Sequence, residues 1–124
     1  MTRVAVIDSG VANLASVVSA LNTVGASPFV TADPEAVRSA AHVVLPGVGH
    51  FGAAMDTLGS SGLAEAVREV SRQDRPLLAV CLGLQLLSDG SDESPGTTGL
   101  GIFPGRCRRL PADVRVPHLG WNGV

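Results

Sequence analysis

The sequence predicts a doubly wound α/β fold with a parallel sheet. Three observations carry this. Short apolar runs alternate with segments of helical period from Val4 to Leu87. Val4–Ile7 and Leu77–Val80 are unbroken apolar runs, the pattern of strands buried on both faces. Two glycine-containing turns, Gly47–Gly49 and Cys81–Gly83, follow apolar runs. They therefore share the rim beyond the carboxyl ends of the strands, where such sheets place their sites.

Val4-Ala5-Val6-Ile7 is the first strand, ending at Asp8-Ser9-Gly10. From Asn13 a helix is expected, because Leu14, Val17, Val18 and Leu21 fall at i, i+3, i+4 and i+7. Gly25 is its stop. Pro28–Thr31 reads as a short second strand. Asp33-Pro34-Glu35 opens a helix with an N-cap, a Pro at the first position and an acid in the first turn. His42–Leu45 is the third strand, cut off by Pro46-Gly47-Val48-Gly49. Helices follow from Phe51 to Leu58 and from Leu63 to Gln73, the second with Leu63, Ala66, Val67 and Val70 on one face. Leu77–Val80 is a buried strand, then come Cys81 and a short helix. Ser88–Gly101 is polar and Gly-rich and reads as a surface loop. Arg106–Leu110 and Val114–Val116 read as a hairpin joined by Pro111-Ala112-Asp113.

The 124 residues bound the chain to one domain. With 45% hydrophobic and 16% charged residues it can bury a core. A net charge of -2 without a basic patch argues against nucleic acid or an anionic membrane as partner. No apolar run reaches membrane-spanning length, and the N-terminus reads as a strand rather than a signal peptide, so the expected location is the cytoplasm. Two Cys make no disulfide framework and no clustered metal site.

Cys81 has two readings. One is an inert, buried Cys in a core strand. The other is a nucleophile elbow, a sharp strand-to-helix turn that holds the sulfur at the strand's carboxyl end. Small residues two before and two after, Ala79 and Gly83, suit the second. A helix starting after Cys81 would direct free N–H groups toward the sulfur and favour the thiolate. The Leu82 N–H is then one oxyanion donor, and the Pro46–Gly49 turn could supply another. Taken alone, that turn reads more readily as an ordinary tight turn. A base is harder to find. His42 sits in a strand, His50 follows the glycine turn, and His118 lies near the end. None has an acid two positions on, where Val44, Gly52 and Gly120 stand.

Cys81-Leu82-Gly83-Leu84-Gln85-Leu86-Leu87 resembles the nucleophile motif of class I, triad-type glutamine amidotransferases. Pro46-Gly47-Val48-Gly49-His50-Phe51-Gly52 with Met55, then Gly99-Leu100-Gly101, Pro104-Gly105 and Pro117-His118-Leu119-Gly120-Trp121-Asn122, narrow the resemblance. Together they are similar to the glutamine amidotransferase subunit of imidazole glycerol phosphate synthase, of histidine biosynthesis. The last motif is close to diagnostic of that subunit. Ala79 stands where that family usually has Gly.

The resemblance implies a flavodoxin-like, mostly parallel sheet. It implies Cys81 as nucleophile, with the Leu82 N–H and a peptide N–H of the Val48-Gly49 turn as oxyanion hole. Gly47 and Gln85 would meet the substrate L-glutamine. Ammonia would pass to a cyclase partner, a (βα)8 barrel, in a heterodimer. Asn13 and His118, Leu119, Gly120, Trp121 and Asn122 would lie near that partner. No cofactor and no metal are implied. The family completes its triad with a His-Pro-Glu motif well downstream, and no His-x-Glu occurs in this sequence. The expectation is therefore one domain over residues 1–124, C-terminally truncated and inactive alone. Two alternatives are an inert remnant that only binds a cyclase, and a thiol-based sensor on a similar elbow.

Overall fold

The computed structural model describes residues 1–10 and 12–124. Four strands form a parallel sheet in the order β2-β1-β3-β4: β1 Arg3–Ile7, β2 Ser27–Thr31, β3 Val43–Gly47 and β4 Leu77–Cys81. That order matches the start of the flavodoxin-like arrangement.

The helices form where the sequence signals them. α1, Leu14–Thr23, is capped by Asn13, whose Oδ1 accepts from Ser16 N at 3.4 Å. It ends before Gly25, which takes the left-handed φ of +82°. α2, Pro34–Ser39, is capped by Asp33, which accepts from Glu35 N at 3.0 Å. α3, Phe51–Ser61, and α4, Leu63–Arg72, meet at Gly62, whose φ of +81° breaks the two apart. Arg38 pairs with both Glu35 and Glu69, which ties α2 to α4.

Strand alternation sorts the side chains into two layers. Ala5, Ile7, Val43 and Leu45 point to the face covered by α2, α3 and α4, where Val37, Phe51, Leu58, Val67 and Val70 are fully buried. Each such side chain contributes about 1.5–3 kcal/mol. Val4, Val6 and Val44 point to the other face, which only α1 covers among the described residues, through Leu14, Val17 and Leu21.

Four expectations need correction. β3 does not stop at Pro46; Pro46 and Gly47 continue it, paired with Val80 and Cys81. Pro46 has no N–H to give, but β1 pairs with β3 only at Val43 and Val44, so no bond toward β1 is lost there. β4 is not a buried strand. It is the sheet's edge among the described residues, with Leu78 57% and Val80 39% exposed on the sparsely covered face.

Residues 88–101 are not a surface loop. They hold β5, Gly90–Ser91, and β6, Ser94–Thr98, which pair antiparallel. Ser88, Ser91 and Leu100 are buried. A Cβ on Gly99 would lie 2.1 Å from Ser88 O, so glycine is what lets these backbones meet. The C-terminal hairpin is absent. Arg106–Cys107 forms a two-residue strand, β7, parallel to β5, and residues 108–124 carry no strand and are exposed. A lone two-stranded ribbon with no core to face gains too little to form.

Candidate active site

The site grows from the end of β4. Cys81 has φ +59° and ψ −123°, one of two non-glycine residues with positive φ among those described. That conformation costs about 1–3 kcal/mol and points to a functional constraint. The next residue opens α5, Leu82–Leu86. This is the elbow rather than the buried core Cys: the side chain is exposed. α5 has only five residues, so it adds less dipole than a full helix, but the unpaired N–H groups at its start remain. Leu82 is the first of these.

The elbow is locked to the end of β3 by missing side chains. Gly47 stands opposite Cys81 in the ladder. A Cβ on Gly47 would lie 2.9 Å from Gly83 N, and one on Gly83 would lie 2.0 Å from Leu45 O. Gly49 differs. Its φ is +98° with open space around it, so it is glycine for conformation rather than room. Val48 and Gly49 are exposed, beside the elbow and on the same rim.

Gln85 lies on α5, one helical turn past Cys81. It forms a wall of a cavity of about 360 Å³ with Ser91, Asp92, Glu93, Cys107, Arg108 and Arg109. That cavity carries both signs of charge. Sequence reasoning missed Glu93 and the other loop residues here, because the fold that brings residues 91–93 and 107 to α5 is made of two-residue strands with no periodic signal.

No imidazole serves Cys81. Among the described residues, none of the three His is hydrogen-bonded to its sulfur. His50 is occupied: its Nδ1 accepts from Gly52 N at 3.1 Å and Ala53 N at 3.4 Å as the N-cap of α3. His42 sits at the other end of the sheet, just before β3, with Nδ1 buried and unpaired. His118 Nε2 meets Asn122 Nδ2 at 2.9 Å. Asn13 lies at the cap of α1, on the same rim as the elbow. The stretch from His118 to Asn122 is wholly exposed, Leu119 at 84% and Trp121 at 103%, and is not packed onto the rim. No group of three or more His, Cys, Asp or Glu among the described residues could hold a metal ion. No helix there is long and apolar enough to cross a membrane.

A strained cysteine between a parallel strand and a helix, interlocked with a glycine turn, has the geometry of a nucleophile elbow. The chain belongs to the glutamine amidotransferase family: residues 3–111 match the CobB/CobQ-like glutamine amidotransferase domain. A crystal structure of a glutamine amidotransferase superimposes with a TM-score of 0.75 over 91% of this chain and 59% of that one, at 18% identity, which bears on the fold. Curated relatives are narrower in name. The imidazole glycerol phosphate synthase subunit HisH of Methanopyrus kandleri is 48% identical over 98% of this chain and 60% of its own length. Those of Moorella thermoacetica and Thermococcus kodakarensis are 48% and 49% identical, over 59% and 58% of their lengths. The chain thus spans about three-fifths of the relatives it matches.

Proposed function

We propose that this chain carries the nucleophile half of a glutaminase that feeds ammonia to a cyclase, as a subunit of imidazole glycerol phosphate synthase in the cytoplasm. The observation that carries it is Cys81, exposed and held at positive φ against the Gly47 turn. The identity to HisH subunits supports the substrate and the partner.

The Cys81 sulfur attacks the side-chain amide carbon of L-glutamine. The oxyanion is held by the Leu82 N–H and a peptide N–H of the Val48-Gly49 turn. The C–N bond breaks as ammonia leaves with a proton from a general acid, and the conjugate base of that acid then takes a proton from water, which cleaves the thioester to glutamate and free thiol. Gly47 and Gln85 border the substrate. The mixed charges of the cavity beside Gln85 suit an amino acid's own ammonium and carboxylate. Asn13 and the exposed stretch His118 to Asn122 face a (βα)8-barrel cyclase, with Trp121 as anchor. Residues 1–124 contain no His-x-Glu motif to supply the other two members of such a triad.

The test is inactivation by a glutamine-mimicking chloroketone. One adduct should form at Cys81, and excess L-glutamine should prevent it. Labelling that ignores L-glutamine would overturn the substrate assignment. The exposed Leu119 and Trp121, with no His on Cys81, favour as a second reading a module that binds a cyclase without turning over. Cyclase binding by a parent chain that the chloroketone never labels would select it.

A further inference from the structure

We propose that Glu93 is a positioning residue for the glycine turn beside Cys81, acting by holding the first turn of α3. The claim rests on the glutaminase reading for its catalytic meaning, and on geometry for the rest.

The turn of residues 48–50 joins β3 to α3. It is exposed, and a Cβ on Gly49 would find nothing within 4 Å. It has no packing of its own, so its two ends must hold it. At the strand end, Gly47 is laddered to Cys81. At the helix end, the first three N–H groups of α3 are taken by two side chains. Phe51 N donates to Glu93 Oε1 at 2.7 Å, from 42 residues away. Gly52 N and Ala53 N donate to His50 Nδ1. The other ring nitrogen of His50, Nε2, lies 3.9 Å from the same Oε1. Glu93 therefore faces both the turn's last residue and the helix's first.

Glu93 is itself fixed. Its N–H donates to Ser91 Oγ at 3.2 Å, and Ser91 is a buried residue of β5. Gly52 brings α3 against the same loop: a Cβ there would lie 2.5 Å from Ser94 Oγ. On the helix side, Phe51 is fully buried, so its N–H is a rigid donor. A carboxylate at the N-terminus of this 11-residue helix is also favoured by the dipole. The bond between Glu93 and Phe51 thus links the rigid core to the one side of the oxyanion turn that the sheet does not hold.

The experiment compares parent, Glu93→Gln and Glu93→Ala, with Glu93→Asp read in place of the alanine variant if that fails to fold. Two quantities are measured: amide hydrogen exchange over residues 48–53, and the saturation kinetics of Cys81 inactivation by the chloroketone. Glu93→Ala should exchange about tenfold faster, the equivalent of losing one net hydrogen bond. Its maximal inactivation rate should fall several-fold, whatever change Glu93's place on the cavity wall brings to the half-saturating concentration. Glu93→Gln should return both toward the parent, because its amide oxygen accepts the same bond. Unchanged exchange in Glu93→Ala, or a glutamine variant as impaired as the alanine one, overturns the proposal. So does an effect confined to the half-saturating concentration, which would make Glu93 a substrate contact. If the parent is not labelled at all, the glutaminase reading falls, and exchange alone decides the clamp.

Discussion

The position a Cβ would take on Gly83 lies 2.0 Å from the carbonyl oxygen of Leu45. No rotamer relieves this, since the first side-chain atom already overlaps backbone. Gly83→Ala should lower stability by about 3 kcal/mol or more, at the high end of overpacking costs. Gly83→Val should not form the elbow. Urea unfolding of the alanine variant measures the first, and loss of chloroketone labelling the second. A valine variant that folds and labels like the parent would refute the elbow.

Cys81 should be the only thiol whose loss abolishes glutamine-protected labelling. Cys107 is a demanding control, since it lies on the cavity wall beside Arg108. It is half-buried, with its sulfur 3.6 Å from Ser88 Oγ and 3.7 Å from Gln85 O. Mass analysis of Cys81→Ser and Cys107→Ser after labelling checks this. Protected labelling of Cys107 in the Cys81→Ser protein would contradict it.

These 124 residues alone should release no appreciable ammonia from glutamine, with or without a cyclase and its ligand. The departing ammonia needs a proton donor and the attacking water needs a base. His50 is the nearest in sequence to the glycine turn, and its Nδ1 is already an acceptor for α3. Loss of the base costs several orders of magnitude in triad enzymes. An assay of glutamate release decides it. Turnover near that of a HisH relative would mean one of His42, His50 or His118 serves. Activity restored by a separate fragment bearing His-Pro-Glu would support a split enzyme.

Leu78→Lys should raise solubility and change stability by no more than about 0.5 kcal/mol. Leu78 is 57% exposed beside Val80 on the edge strand, and apolar edges promote association. Light scattering and urea unfolding give the two readouts. A large loss of stability would show that Leu78 is covered in solution.

Residues 3–87 were legible because their elements are long enough to show a period and carry their own signals: Asn13 and Asp33 as caps, Gly25 as a stop, Cys81 between small residues. What failed had no local signal. Leu77–Val80 reads the same whether a neighbouring strand covers it or not, because hydrophobicity reports a preference for burial and not its fulfilment. Gly90–Ser91 and Arg106–Cys107 are too short for a pattern, and they pair with each other across 16 residues of chain. Gly47, Val48, Gly49, Leu82 and Gln85 were named through the motif; Gly47 pairs with Cys81, Val48 and Gly49 follow it in the chain, and Leu82 and Gln85 lie on α5. Glu93 was not found, since a contact across 42 residues leaves no trace in a single sequence.

The backbone at Cys81 has a further consequence. A glycine adopts φ +59° and ψ −123° at far smaller cost than any residue with a Cβ. Its extra unfolded-state freedom offsets only part of that relief, about 0.5–1 kcal/mol. The most durable version of this fold is therefore one without its sulfur. Repeated selection for heat resistance alone would drift toward Gly at position 81 and discard the chemistry. On the glutaminase reading, a thiol that survives there marks a trade-off resolved in favour of reactivity.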